Sequence, residues 1–546
     1  MKKLLALGAV ISAFVLLSFS PPADRYFEIA KNLDIFATLF REVNTLYVDE
    51  VNPNTLMKTG IDAMLASLDP FTNYIPDDEV EDYRTINTGQ YGGIGAVTRD
   101  MNKRTVVTMI YEGYPAYKGG LKIGDEVIKM DEIELSKLTT EQANHLMRGQ
   151  VGTPVSLTIK RYGIKDPIKL QFKREKIKIN NVPYYGMMAG GIGYVQLANF
   201  TPDAGKEVRS AVVSLKESGA KAIILDLREN PGGLLNEAVN ICNIFLPKGK
   251  LVVTMKGKIA EYNSAYETPA APTDLEIPVA VLINRGSASA SEIVAGTLQD
   301  YDRAIIIGEK SYGKGLVQLT RPVGYNSQIK ITTAKYYTPT GRCIQVLDYS
   351  HRRADGSVGS IPDSIKKSFK TTRGRTVYDG GGVDPDIAVE DVTMAPITQA
   401  LYVEGLLFDF ATIYASKRVT IGEAKNFLLT EADYQEFLTW IKTKSYKYQS
   451  PLEQQLELLK TTAKAERLYE ELRPQLDQLQ QRVAEGRKND LLTFKDQIKT
   501  LLESEIAGRY FLERGQVEVS FKGDQEIRKS VEILNNTVQY RKILNP

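Results

Sequence analysis

Histidine and cysteine are nearly missing from this 546-residue chain. His145 and His351 are the only imidazoles, Cys242 and Cys343 the only thiols. A serine hydroxyl is a poor nucleophile without a positioned base, and the usual base is histidine. No Cys/His cluster has the spacing of a zinc site. Two unspaced cysteines make no disulfide framework, so both read as packing residues. An excess of either charge is missing too. The 69 basic and 67 acidic side chains leave a net charge of +2, and without a basic excess nothing points to nucleic acid. Neither metal nor cofactor is expected. Simple repeats and low-complexity tracts are absent. A chain of this length is too long for one hydrophobic core, so roughly three or four domains are expected.

What is present starts at the N-terminus. Lys2 and Lys3 precede an apolar run from Leu4 to Phe19, followed by Ser20-Pro21-Pro22. That is the n-region and h-region of an export signal. The run of sixteen residues is short for a membrane span of ~20. Ser18-Phe19-Ser20 offers a small-x-small cleavage site, while Pro21 directly behind it opposes cleavage. Residues 1–23 are therefore expected to be either a cleaved signal or an inner-membrane anchor. In both cases the body is exported, to the periplasm or the envelope.

Residues 24–84 read as helices. Phe27, Ile29, Leu33, Phe36, Leu39 and Phe40 recur at helical spacing, as do Leu56, Ile61 and Leu65. From about Tyr91 to Arg161 the signals change to short strands and turns. Across residues 166–392, strands such as Ile192–Leu197, Ala222–Leu227, Val279–Ile283 and Ala304–Ile307 alternate with helical stretches, the pattern of an α/β core. Residues 393–546 are helical and charged. Leu452, Leu456, Leu459 and Leu468 mark one face there, without strict heptads, and a helical appendage is expected.

Within residues 85–165, Tyr91-Gly92-Gly93-Ile94-Gly95 is a glycine-rich turn opening a strand. Successive N–H groups in such a turn can cradle a peptide carboxylate. Gly113-Tyr-Pro-Ala116, Gly120-Leu-Lys-Ile-Gly-Asp125 and a helix from Thr140 to Met147 follow. This stretch resembles a PDZ domain of the bacterial protease type. The resemblance implies that a partner's C-terminal tail adds as a strand beside Ala96–Val97, with its carboxylate on the Gly92–Gly95 amides. His145 on the helix is expected to be structural.

The densest chemistry is Asn284-Arg-Gly-Ser-Ala-Ser289-Ala-Ser-Glu292, which follows an apolar strand and leads into a helix. A serine at such a junction has free helix N–H groups beside it, suited to an oxyanion. Twenty-five residues on, Lys314 stands between Gly313 and Gly315. Gly308-Glu-Lys-Ser-Tyr-Gly313-Lys314 nearly spells a phosphate-binding loop. However, Gly315 replaces its Ser/Thr, and Leu316–Thr320 reads as strand where a helix is required. With no histidine at hand, the pair points to serine–lysine chemistry.

The same stretch, with Leu68-Asp-Pro-Phe-Thr72, Leu225-Asp-Leu-Arg-Glu-Asn-Pro-Gly-Gly233, Tyr336-Tyr-Thr-Pro-Thr-Gly341 and Gly380-Gly-Gly-Val-Asp-Pro385 in order, resembles the C-terminal processing peptidases (tail-specific proteases, peptidase family S41). That resemblance runs from about residue 35 to 390. It implies an α/β multidomain protein with an N-terminal helical segment, a PDZ domain, a tail-specific protease core and a C-terminal helical domain. It further implies Ser289 as nucleophile, Lys314 as general base and Gln318 as the residue orienting the lysine. The N–H of Ala290, with that of Gly232 or Gly233, would form the oxyanion hole. Asp300 and Arg303 are expected to be structural.

The chemistry is coherent. A lysine of reference pKa ~10.4 is charged at neutral pH, and burial disfavours the charged form. Ser289 would form an acyl-enzyme that water then releases, with Lys314 carrying the proton. In a straight strand Lys314 and Gln318 would lie ~13 Å apart, so their contact needs a bend, expected at Gly315. The expected protein is thus an exported serine endopeptidase acting on proteins with apolar C-terminal tails, with its terminal helical regions as candidates for homo-oligomer contacts. The alternative is a non-catalytic PDZ tail-binding scaffold of the envelope, which would have no use for the serine, lysine and glutamine together.

Overall fold

The computed structural model describes residues 23–353, 356–390, 393–446 and 448–545; the signal or anchor segment lies outside them. Two compact units are present. The first comprises helices α1 (Ala23–Leu46) and α2 (Pro53–Ala66), strand β1 (Asn73–Ile75) and residues 320–331. Helix α2 starts where the sequence allows it to. The Asn52 side chain accepts from the N–H groups of Asn54 and Thr55, and Pro53 fills the first turn, where its missing N–H costs nothing. Helix α1 leaves Tyr26, Phe27, Leu33 and Leu39 more than half exposed. No helix among the described residues is long and apolar enough to cross a membrane.

The second unit opens with α3 (Val80–Thr88) and β2 (Gln90–Gly93). A sheet follows, built of β3 (Ala96–Met101), β4 (Arg104–Ile110), β5 (Glu126–Met130), β6 (Pro154–Lys160) and β7 (Ile168–Lys173), hydrogen-bonded in that order. Between β5 and β6 lies α4 (Thr140–Met147), started by a capping box of Thr139 and Gln142. Ile94, Val107, Ala143, Met147, Leu157 and Ile159 form this domain's own core. Strand β8 (Glu175–Lys178) returns to pair with β2.

The α/β core follows, with strands β9 (Tyr184–Met188) and β10 (Ile192–Gln196), helix α5 (Ala204–Glu217), strand β11 (Ala222–Asp226), helix α6 (Leu235–Phe245) and strand β12 (Leu251–Gly257). Then come β13 (Val279–Ile283), α7 (Ala290–Asp300), β14 (Ile305–Gly308), β15 (Leu316–Gly324) and β16 (Ser327–Tyr337), whose residues 320–331 are counted with the first unit, and the short β17 (Ile387–Ala388). The main sheet runs β9-β10-β11-β13-β14-β17, parallel except for β9 against β10. Its central strands are apolar on both sides, as buried parallel strands must be. Ile223, Leu225, Val279, Val281 and Ile306 face α5, α6 and α7. Ile224, Ala280, Leu282, Ile305 and Ile307 face the other way.

That second face is covered from the far end of the chain. Helices α8 (Pro396–Val403), α9 (Leu406–Lys417) and α10 (Glu431–Ile441) form a cluster with α13 (Lys495–Ser520), with Leu401, Phe410, Phe437, Ile498 and Leu502 at its centre. Helices α11 (Pro451–Ala465) and α12 (Tyr469–Arg487), which fall between them in sequence, bury only Leu456, Ala463 and Leu476. The last helices, α14 (Gln525–Asn535) and α15 (Thr537–Leu544), lay Ile527, Ile533, Leu534, Tyr540 and Leu544 on the sheet. The C-terminal stretch is therefore more than an appendage, because it supplies the second helical layer of the α/β core.

Candidate active site

Strand β13 ends in the Asn284-Arg-Gly turn, and Ser289 is the residue from which α7 starts. Its backbone is left-handed in φ, at φ 55° and ψ −112°, a conformation that costs a non-glycine residue about 1–3 kcal/mol. Its neighbours are committed elsewhere. Ser287 is fully buried and donates to the Leu227 carbonyl at 2.8 Å. Ser291, also fully buried, donates to the Asn230 carbonyl at 2.9 Å. Ser289 alone of the three is only half-buried.

The Asn230-Pro-Gly-Gly turn presses against this junction. A Cβ on Gly232 would stand 2.7 Å from the Ala290 nitrogen and 2.9 Å from the Ser289 Cβ, so only glycine allows the approach. The Gly232 N–H itself donates to Asn230 Oδ1 at 2.9 Å. Gly233 pairs with Phe200 in an isolated bridge.

Glu292, one turn into α7, gathers the site. Its fully buried carboxylate accepts the Ser289 N–H at 2.8 Å, the Gly313 N–H at 2.7 Å, the Lys314 N–H at 2.9 Å and the Ser311 hydroxyl at 2.5 Å. Burial pushes its pKa up to about 7, against the pull of these four donors. Two residues far apart in sequence are thereby fixed to one carboxylate. Sequence reasoning missed this role. The available signal was the capping-box spacing, a glutamate three residues after a helix-starting serine.

Lys314 is half-buried in a turn that its glycines permit. A side chain on Gly313 (φ 86°) would meet Val346 at 1.9 Å, and one on Gly315 would meet the Gln345 nitrogen at 2.9 Å. Strand β15 starts at Leu316, so the chain continues as strand where a phosphate-binding loop needs a helix. Residues 310–315 lie outside regular structure, with Gly313 at φ 86°, and β15 starts directly behind them. Gln318 is half-buried on β15, and its Nε2 donates to Thr332 Oγ1 at 3.2 Å.

Of the residues expected to be structural, Asp300 and Arg303 occupy such places and His145 does not. Asp300 forms a buried ion pair with Arg342 at 2.9 Å, and Arg303 donates to the Phe245 and Asp274 carbonyls. His145 is exposed, and exposed His351 bonds Asp348. Cys242 and Cys343 are free thiols, and burial pushes the Cys242 thiol up to about 12.

In the N-terminal domain of this unit, Tyr91, Gly92 and Gly93 are part of β2 and pair with residues 175–177. Ile94 is buried in the core and Gly95 turns at φ 77°. Burial raises the Tyr91 phenol. The Arg148 guanidinium lies 5.3 Å from the centre of the Tyr91 ring and pairs with Asp82 on α3. The free edge of β3 faces α4. Asn144 Oδ1 accepts the Thr98 N–H at 3.1 Å, Asn144 Nδ2 donates to the Thr98 carbonyl at 3.0 Å, and Thr140 Oγ1 accepts the Asp100 N–H at 3.1 Å.

A parallel α/β core with a strained serine at a strand-to-helix junction, preceded by a small sheet domain and followed by helices, has the make-up of a multidomain serine peptidase. Comparison with known families agrees. Residues 191–348 match peptidase family S41, residues 84–160 the PDZ domain, and residues 397–534 the C-terminal helical domain of probable PDZ-proteases. A carboxy-terminal-processing protease of Bartonella bacilliformis is 41% identical over 58% of this chain and 73% of its own length. A probable CtpA-like serine protease of Staphylococcus aureus is 35% identical over 57% of this chain and 62% of its own. A photosystem II D1 C-terminal processing protease of known structure is 26% identical, covering 65% of this chain and 92% of that one, with a TM-score of 0.35. The chain belongs to peptidase family S41, the carboxy-terminal-processing serine proteases.

Proposed function

We propose that the protein is an exported endopeptidase in which Ser289 attacks the scissile carbonyl and Lys314 is the base. The observation carrying this reading is the shared Glu292 carboxylate, which holds the N–H groups of both residues. The commitment of Ser287 and Ser291 to backbone carbonyls singles out Ser289. An uncharged Lys314 takes the hydroxyl proton as the Ser289–carbonyl bond forms, then returns it to the leaving amine. Water cleaves the resulting ester by the same proton path. The oxyanion rests on the Ala290 N–H at the start of α7 and on a glycine N–H of the pressing turn. Since the Gly232 N–H is spent on Asn230, Gly233 is the better second donor. Gln318 is assigned to orienting the lysine.

Substrates are proteins with apolar C-terminal tails, captured by strand addition along β3 with the carboxylate at the Gly93-Ile94-Gly95 corner between β2 and β3. Residues 1–23 direct export to the periplasm or envelope, as signal or as anchor. The apolar residues that α1 exposes support contacts between copies of the chain. The test is mass spectrometry of peptides released from mixed envelope proteins. The wild type should release them, and Ser289→Ala and Lys314→Ala should not, while Ser289→Ala still binds tails. Proteolysis unchanged in either variant rules out that residue's role.

A further inference from the structure

The Lys314 turn has little stiffness of its own. Gly313 and Gly315 flank the lysine, and glycine restrains the backbone least of all residues. Something else must hold the lysine's peptide groups in place. On the N–H side this is Glu292. On the carbonyl side it is Tyr336, a fully buried residue of β16. Its hydroxyl donates to the Lys314 carbonyl and lies 3.1 Å from the Ser289 carbonyl, one phenolic proton between two acceptors. Its own N–H donates to the Gly315 carbonyl at 3.0 Å. Gln345 completes the hold, its Oε1 accepting the Gly315 N–H at 2.8 Å. Ser289 and Lys314 thus have their N–H groups on one buried side chain and their carbonyls on another. Burial raises the Tyr336 phenol well above its usual range, so it stays a donor throughout the working pH range.

We propose that Tyr336, seconded by Gln345, is a positioning residue that keeps the Ser289 and Lys314 backbones in mutual register. This rests on the serine–lysine reading above. A bare core tyrosine would need one carbonyl partner. This one touches the carbonyls of both proposed reactive residues, one of them strained and the other between glycines.

The test is Tyr336→Phe, which keeps the ring and removes the hydroxyl, assayed on an unfolded protein substrate such as casein. Rates are taken per folded molecule, at low temperature where stability requires it. Tyr434→Phe is the control, since the buried Tyr434 hydroxyl likewise donates to a carbonyl, that of Leu491. Misplacement of reacting groups by about 1 Å can cost about 100-fold. Tyr336→Phe should therefore lose about 10- to 100-fold in kcat with KM within about two-fold. Labelling of Ser289 by a fluorophosphonate should slow in parallel, and Tyr434→Phe should keep both rates. A Tyr336→Phe kcat within about three-fold of wild type overturns the proposal. If that variant does not fold, Gln345→Met frees the Gly315 N–H from the other side, and an unchanged kcat there overturns it equally. Ser289→Ala and Lys314→Ala are run alongside. Activity in either defeats the serine–lysine reading itself. Inactivity in both with a normal Tyr336→Phe defeats only the positioning role.

Discussion

At the scale of single residues the site turns on a carboxylate that does no chemistry itself. Glu292 accepts from four donors and leaves no place for a proton of its own. Protonation would put an O–H against one of those donors, so the ionised form is the one that holds the site together. With its pKa pushed up to about 7, activity should fall as pH drops through that value. Glu292→Gln should be slow at every pH and lack that limb, which kcat/KM profiles of the two enzymes will show. Stability should move in the opposite sense. The folded pKa lies above the 4.5 of an unperturbed glutamate, so the folded chain holds the proton more firmly. That contribution is complete below 4.5 and is lost as pH rises through about 7. Urea midpoints of wild type relative to Glu292→Gln should therefore decline across this window, and a rise would contradict the assignment. The neighbouring serines give a second expectation. Ser291→Ala should cut cleavage little and cost about 0.5–1.5 kcal/mol, the net worth of one hydrogen bond to a carbonyl that keeps the Ala288 N–H, as measured by urea unfolding. Ser289 and Lys314 could be proposed from the sequence because their types and spacing suggest the chemistry. Glu292 and Tyr336 were not, since apart from the Ser311 hydroxyl their partners are backbone groups, which every residue has and no sequence displays.

At the scale of elements, strands were readable from runs such as Val279–Ile283, because burial on both faces leaves no room for polar residues. Misreading began where a segment's state depends on a distant partner. Tyr91–Gly93 looked like a turn able to hold a carboxylate, yet β8, more than eighty residues on, takes it as a strand. The edge of β3 behaves likewise. Its bonding groups at Thr98 are filled by the Asn144 carboxamide, which is chemically a peptide unit on a side chain. A tail pairing with β3 at this residue must displace it. Asn144→Ala should therefore bind a fluorescent peptide with an apolar C-terminus about ten-fold more tightly, about 1.4 kcal/mol, by anisotropy. Unchanged affinity would mean that tails do not pair at Thr98. Neither the domain match nor the helix pattern reveals such a placeholder, because Asn144 reads as an ordinary polar position on an amphipathic helix.

At the scale of the whole molecule, charge at the end of a strand explains how the C-terminus is held. Arg228, in the Leu225–Gly233 motif, pairs with Asp226 at 2.6 Å and with Asp524 at 2.8 Å, just before α14. The Tyr540 hydroxyl accepts from the Val279 N–H at 3.0 Å. Behind these polar contacts, Ile527, Ile533, Leu534, Tyr540 and Leu544 close the second face of the sheet. At ~2 kcal/mol for each large apolar side chain, their removal forfeits about 10 kcal/mol, comparable to the stability of an entire domain. Ending the chain after Gly523 should thus give an insoluble protein. The hairpin of α11 and α12 should behave differently. Its two ends meet, with the Tyr448 hydroxyl 2.6 Å from Asp490 and Arg487 3.0 Å from Glu453, and it buries little. Replacing residues 452–486 by a short glycine–serine linker should leave the urea midpoint and casein cleavage near wild type. Light scattering on the same variant asks what the hairpin is for. A mass lower than that of the wild type assigns it to assembly, and an unchanged mass rules that role out.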